Sequence, residues 1–174
     1  MPSPLRDDVR LPAFHMMRGF PRTQSCVFRD FPDVFSPEYR VASEKFAAQL
    51  GEIKGDPYIV GYFMTNEPEW AFIEGLEISE MLLGNPAPLE TKRVFLHFLQ
   101  EKYADVRAFN AAWNLDLASF EELMKPIADA RRLSAEAARD LDAFSRIMIE
   151  EYVRVPAAAC KSVDPNHMNF GLRY

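Results

Sequence analysis

The chain has few of the residues that build metal centres and disulfide frameworks. Its 174 residues include only two cysteines, Cys26 and Cys160, which lie far apart and follow no pattern. This usage indicates neither a cysteine metal site nor a disulfide framework. The histidines His15, His97 and His167 are also widely separated and share no ligand spacing, so we expect no metal and no cofactor.

The sequence also lacks an excess of positive charge and a long apolar run. It has 20 basic and 26 acidic residues, which gives a formal net charge of −6. Nucleic acids and anionic membranes need a basic face, so neither is expected as a partner. No apolar stretch approaches the ~20 residues of a membrane span, and residues 1–8 lack the apolar core of a signal peptide. We expect a soluble chain; whether its parent is cytoplasmic or secreted, and its oligomeric state, stay open.

The chain does contain enough apolar residues for a core, and they recur at helical spacing. It is 48% hydrophobic and 13% aromatic, which is typical of one folded domain or of part of a larger one. Helices are predicted to begin near Ser36, Leu89 and Ser134, and Pro156 is expected to kink or interrupt the last. The first helix is expected to bury a face made of Val41, Ala42, Phe46, Ala47, Leu50 and Ile53.

Strands are predicted at residues 11–17, 58–65 and 168–174, with an irregular loop at residues 19–34. The alternation of strands with helices implies crossover connections and a parallel sheet. Three strands cannot close a barrel, and the helices offer too little apolar surface to cover both faces of such a sheet. We therefore predict an α/β fold: an incomplete (β/α)8 TIM barrel segment. Residues 1–174 would form a single partial domain, with a helical insertion at about 69–133 after the strand that carries Asn-Glu-Pro.

One predicted strand end carries the most specific chemical signal. The apolar run at residues 58–65 stops abruptly at Asn66-Glu67-Pro68. Catalytic groups of parallel α/β folds lie at the C-terminal ends of strands, so Glu67 is predicted to act as an acid/base on a neutral polar substrate. Trp70 could offer this substrate an apolar face. Each residue has a structural alternative: Glu67 an ordinary exposed carboxylate, Asn66 a turn residue, and Trp70 a core residue.

Four segments in order resemble a known family. Residues 58–70, Tyr-Ile-Val-Gly-Tyr-Phe-Met-Thr-Asn-Glu-Pro-Glu-Trp, resemble the fourth barrel strand of retaining clan A glycoside hydrolases. Residues 31–39, 98–103 with 109–114, and 164–171 resemble flanking segments of the β-galactosidase-like and β-agarase-like members. By this resemblance the chain spans about the third to fifth strands of a TIM barrel.

The resemblance implies roles for individual residues. Glu67 would be the general acid/base, and Asn66 would bind the sugar 2-hydroxyl. His15 and Arg173, near the ends of the outer strands, are expected to reach the substrate, although a packed histidine is the alternative for His15. The full-length parent would hydrolyse β-galactoside or agarose-type bonds, so its partner would be a carbohydrate. The family's nucleophile, a glutamate after the seventh strand, has no counterpart here, so the isolated chain is expected to be inactive.

Two other classes of function remain open at this point. A degenerate protein could keep the Asn-Glu strand end to bind carbohydrate without turnover. An unrelated α/β interaction domain could contain Asn-Glu-Pro by coincidence. Expressed alone, a barrel segment is expected to expose apolar surface and to aggregate.

Overall fold

A parallel sheet runs through the computed structural model, which describes residues 11–173. Its strands, in chain order, are β1 (Ala13–Met16), β2 (Cys26–Phe28), β3 (Phe31–Pro32), β4 (Ile59–Phe63), β5 (Thr65–Asn66), β6 (Met168–Asn169) and β7 (Leu172–Arg173). β1, β4 and β6 form the sheet in that order, and both neighbouring pairs are parallel. After Met64, β5 and β7 continue β4 and β6 and pair with each other, also in parallel. The three predicted strands and the mixed α/β class are confirmed, whereas residues 1–10 and 174 lie outside the described part.

Five α-helices occur among residues 11–173: α1 (Pro37–Ala47), α2 (Ile78–Gly84), α3 (Glu90–Lys102), α4 (Val106–Trp113) and α5 (Ala135–Val163). Short 3₁₀ turns at Ala48–Glu52, Glu69–Phe72, Phe120–Met124 and Ala130–Arg132 join them. Residues 19–34, predicted as an irregular loop, contain the antiparallel hairpin of β2 and β3. Strands of three and two residues are too short to show an alternating pattern in the sequence.

The first helix begins where its cap residue predicts. The Ser36 hydroxyl accepts a hydrogen bond from the backbone N–H of Tyr39 at 3.1 Å, and proline follows at the first helical position. Its buried side chains include Tyr39, Ser43 and Phe46. Val41, predicted to face the core, is 48% exposed, because two residues from Tyr39 turn the helix by about 200°.

The long helix α5 continues through Pro156. Of the kink or interruption predicted there, the interruption does not occur. Pro156 has no N–H to give the carbonyl of Tyr152 one turn earlier. The Tyr39 hydroxyl on α1 donates to that carbonyl at 2.6 Å. Burial, together with the nearby Tyr152 and Glu151, raises the pKa of Tyr39, so the hydroxyl keeps its proton.

Although α5 is 29 residues long, no helix within residues 11–173 has the length and apolar content to cross a membrane.

Residues between β5 and α5 fold against the first half of α5 and share its hydrophobic core. Buried carboxylates tie these helices together. Asp140 on α5 accepts from the Trp113 indole at 2.9 Å and from the Tyr103 hydroxyl at 2.6 Å. Asp33 accepts from the N–H groups of Glu90 and Thr91 and so caps α3, whose own cap residue is a leucine. The segment after the Asn-Glu strand end is therefore helical and firmly packed.

One face of the sheet packs on helices, and the other is largely bare. Met17, Tyr62 and Met64 are buried with Phe46 of α1 and Cys160 of α5. On the opposite face the rings of Phe14, Phe63 and Phe170 contact one another, with centroids 5.2 to 6.3 Å apart. Phe14 is 59% exposed, and Met168 is 53% exposed. Parallel sheets are normally covered on both faces, whereas this face is apolar and largely exposed.

The contact between Tyr39 and the Tyr152 carbonyl is testable with a double-mutant cycle. We expect Tyr39→Phe to lower the free energy of unfolding by about 1–3 kcal/mol, because a buried carbonyl loses its donor. In a Pro156→Ala background the restored backbone N–H can bond that carbonyl, so the same change should cost clearly less. Urea unfolding followed by circular dichroism gives the four free energies. Equal costs in both backgrounds would contradict this account of how α5 tolerates its proline.

Candidate active site

The Asn-Glu pair lies where the central strand ends. Asn66 is the last residue of β5, and Glu67 follows with a positive φ of +47°. Residues other than glycine, asparagine and aspartate rarely adopt this left-handed conformation. The Glu67 N–H donates to the Arg173 carbonyl of β7 at 2.9 Å, which fixes the turn against the neighbouring strand. The chain therefore leaves the sheet sharply at the carboxylate.

Glu67 lines a cavity of about 820 Å³ at this end of the sheet. A cavity of this size lies within the range of small-ligand sites, roughly 300–1,000 Å³. Its wall carries groups of both charges: the carboxylates of Asp30, Glu67 and Glu69, and the cations of Arg18, Arg22 and Lys45. Both Asn66 and Glu67 are exposed, so their polar side-chain groups are accessible to a ligand. The cavity offers many hydrogen-bonding groups and a few aromatic ones.

Three of the predicted site residues come together. Arg173 is in register with Asn66, and its guanidinium donates to the Asn66 side-chain oxygen at 2.7 Å. With Glu67 next in the chain, these polar groups converge at the strand ends. Their contact with a substrate stays a prediction.

The structure does not bring the other two predicted residues to this place. Trp70 is only 8% exposed, and its ring packs edge-on against Phe31 and Tyr152 in the core, which leaves little surface for a sugar. His15 is in register with Tyr62, a residue of the core between the sheet and the helices. Side chains in register on parallel strands share a face, so His15 lies on the face of the sheet that packs on the helices. His15 is not among the residues that line the cavity. A substrate-binding role for either residue stays a prediction.

Asp30 is a site residue that the sequence did not reveal. Its carboxylate accepts from the backbone N–H groups of Glu69 at 3.0 Å and of Trp70 at 3.1 Å. Asp30 also lines the cavity beside Glu67. The partners lie 39 and 40 residues apart in the chain, and no local spacing pattern signals such a contact.

Gly61 explains how β6 comes close enough to continue into the site. A Cβ atom at this position would overlap the backbone carbonyl of Met168 and lie 2.6 Å from the Phe170 ring. Only glycine leaves room for β6 to pass at this distance. The next strand, β7, can then place Arg173 beside Asn66 and Glu67.

Within residues 11–173 no group of three or more His, Cys, Asp or Glu side chains is arranged to hold a metal ion.

A carboxylate and an amide lie at the C-terminal end of a parallel strand and face a cavity. Catalytic groups of (β/α) barrel enzymes lie at this end of the strands. The chain belongs to the beta-galactosidase family of glycoside hydrolases known as family 42, whose model matches residues 22–170. The matched span includes the β2–β3 hairpin, the Asn-Glu strand end, the helical segment and β6. The resemblance described from the sequence is thereby confirmed.

Two curated relatives from Vibrio sp. (strain JT0107) are agarases. Beta-agarase B is 26% identical over 148 residues, which cover 80% of this chain and 15% of that protein. Beta-agarase A is 26% identical over 156 residues, which cover 82% of this chain and 16% of that protein. The chain therefore spans less than one fifth of the length of these relatives.

Solved agarase structures share the fold over nearly all of this chain. The agarase AgWH50C superimposes with a TM-score of 0.80 at 29% identity, covering 98% of this chain and 26% of that one. An exo-beta-agarase superimposes with a TM-score of 0.79 at 26% identity, covering 99% of this chain and 25% of that one. The mixed α/β arrangement is thus shared with enzymes about four times as long.

The role of Gly61 is testable by adding one methyl group. We expect Gly61→Ala to lower the free energy of unfolding by about 3 kcal/mol or more, because the clash is with backbone that cannot rotate away. Gly51→Ala is a matched control, since a Cβ there meets nothing within 4 Å. Urea unfolding of both variants measures the difference. Equal stabilities of Gly61→Ala and Gly51→Ala would show that the pairing of β6 with β4 does not require glycine at position 61.

Proposed function

We propose that the chain is a segment of a glycoside hydrolase barrel, spanning about the third to fifth strands of a (β/α)8 fold. Residues 1–174 would form one partial domain, with an insertion at about 69–133. Two observations support this proposal. The face of the sheet that carries Phe14 and Met168 is apolar and exposed, as expected of the inside of an open barrel. The agarase chains with the same fold are also much longer, since this chain covers 26% and 25% of two of them.

In the full-length protein Glu67 acts as the general acid/base of retaining hydrolysis. Such enzymes use two carboxyl groups about 5–5.5 Å apart: one protonates the leaving oxygen while the other attacks the anomeric carbon. The observation that carries the assignment is the position of Glu67, at the end of the central parallel strand and open to the cavity. The second carboxylate, a glutamate after the seventh strand, comes from outside this chain. The chain alone is accordingly inactive.

Asn66 and Arg173 act in substrate binding and take no part in proton transfer. The Asn66 amide is placed to hydrogen-bond the sugar 2-hydroxyl, an interaction that strengthens in the transition state. Its oxygen already accepts from the Arg173 guanidinium, which leaves the amide N–H groups to donate to a hydroxyl. This division of the donors supports a role for Arg173 in orienting Asn66.

The family and the similar proteins support a proposal for the substrate class. The matching family model is described as beta-galactosidase, and the similar proteins are agarases. We therefore assign the O-glycosidic bonds of β-galactosides or agarose-type galactans as the substrates of the full-length protein. A cavity wall of mixed charge and amide groups suits a ligand rich in hydroxyl groups.

The acid/base role is testable by replacing the carboxyl group of Glu67 with an amide, which cannot donate a proton as an acid. In the full-length protein we expect Glu67→Gln to lower kcat on agarose-type oligosaccharides by about 10²–10⁴-fold, because the amide cannot protonate the leaving oxygen. Glu74→Gln, which changes an exposed glutamate seven residues further on, should leave kcat unchanged. Steady-state hydrolysis rates measure both. A fully active Glu67→Gln enzyme would end this assignment.

The barrel proposal is testable through the bare sheet face. In the full-length protein we expect Phe14→Ser to lower the free energy of unfolding by about 3 kcal/mol, because the ring is then buried by other strands. In the 174-residue chain the same change should cost less than about 1 kcal/mol, since Phe14 is 59% exposed there. Val41→Ser, at a 48% exposed site on α1, is the control and should cost little in both lengths. Equal costs for Phe14→Ser in the two proteins would contradict the proposal.

A further inference from the structure

The turn that follows Glu67 cannot cap itself. Its 3₁₀ segment Glu69–Phe72 begins after Pro68, and no side chain of the segment bonds its first N–H groups. Such groups need acceptors from elsewhere in the fold. The Asp30 carboxylate supplies both, one oxygen to Glu69 at 3.0 Å and the other to Trp70 at 3.1 Å. Hydrogen bonds to an ionised acceptor are among the stronger ones in proteins.

Asp30 is itself held in place by its neighbours. It lies in the turn of the β2–β3 hairpin, directly after Arg29, whose φ is +48°. On its other side Phe31 is fully buried, with its ring packed edge-on against Trp70 at 5.1 Å and stacked on Tyr152 at 5.1 Å. The carboxylate therefore has little freedom to follow the turn if the turn moves.

Glu67 is thus fixed from both directions along the chain. On one side its own N–H is bound to the Arg173 carbonyl of β7. On the other side Pro68 restricts the backbone, and the next two N–H groups are bound to Asp30. A left-handed glutamate persists only when the surrounding structure holds it there. Without Asp30 the backbone at Glu67 is free to relax, and the carboxyl group moves with it.

We infer that Asp30 is a positioning residue, whose carboxylate holds the backbone around Glu67 so that the Glu67 carboxyl points to the scissile bond. Asp30 acts through Glu67 and takes no part in proton transfer. The inference rests on the proposed function, because it assigns Glu67 as the acid/base. It adds the β2–β3 hairpin, which comes earlier in the chain than the strand bearing Glu67, to the machinery of the site.

The test compares four forms of the full-length protein: wild type, Asp30→Ala, Glu67→Gln and the double variant. Misplacing a catalytic group by about 1 Å costs on the order of 10²-fold, so Asp30→Ala should lower kcat by about 10- to 100-fold. KM should stay within about twofold, because substrate binding is not the function lost. In the Glu67→Gln background the same change should lower kcat by less than about threefold, since the group it positions is already gone.

Two further variants separate positioning from general damage. Asp30→Asn keeps one side-chain oxygen as an acceptor, so its kcat should lie between wild type and Asp30→Ala. Asp116→Ala removes an exposed carboxylate in the insertion and should leave kcat unchanged. Hydrogen exchange followed by mass spectrometry provides a readout that does not depend on turnover. The peptide that contains Glu69 and Trp70 should exchange faster in Asp30→Ala, while peptides of α5 should be unchanged.

The outcomes distinguish this inference from the proposed function. If Asp30→Ala lowers kcat equally in both backgrounds, or leaves exchange of the Glu69–Trp70 peptide unchanged, the positioning role is overturned. If Glu67→Gln alone keeps full activity, the acid/base assignment fails, and with it the inference that depends on it. The inference is supported if Asp30→Ala lowers kcat and speeds exchange of the Glu69–Trp70 peptide, and if it no longer lowers kcat in the Glu67→Gln background.

Discussion

The close approach of two strands at Gly61 is the constraint on which the site depends. Any side chain there would overlap the Met168 carbonyl, so β6 could not run beside β4. Because it does, β7 pairs with β5, the Arg173 carbonyl receives the Glu67 N–H, and the Arg173 guanidinium reaches Asn66. The positions of Asn66, Glu67 and Arg173 therefore depend on residue 61 having no side chain.

The opposite wall of the site depends on α5. Tyr39 gives the Tyr152 carbonyl the donor that Pro156 cannot, and this bond joins α1 to α5. The Tyr152 ring then lies against Phe20, Phe31 and Trp70, with centroids 4.8 to 5.3 Å apart. Phe31 is next to Asp30 in the chain, and Trp70 comes three residues after Glu67. The Tyr152 ring therefore packs against both segments that the hydrogen bonds to Asp30 join. Packing between distant segments of the chain thus supports the backbone on both sides of the Glu67 carboxylate.

Features that depend on neighbours in the chain were predictable from the sequence. Ser36 and Ser134 cap their helices as their positions indicate, and the apolar run before Asn66 is a central strand. Features that depend on contacts distant in sequence were not. Pro156 is accommodated by a tyrosine on another helix, and Trp70 is buried by residues from two other segments. Asp30 has no local pattern because its partners are brought to it only by the complete fold.

Backbone strain occurs at the residue that we propose as the acid/base. Among residues 11–173 four non-glycine residues have positive φ: Arg29, Glu67, Asn114 and Asp129. Asparagine and aspartate adopt this conformation readily, and Asn114 does so as the cap of α4. Arg29 and Glu67 are the unusual members, and they flank the two ends of the Asp30 bridge. Glycine at position 67 would remove the strain and also the carboxyl group. Keeping a glutamate there requires the surrounding structure to hold it, and the bonds from β7 and Asp30 do so on both sides.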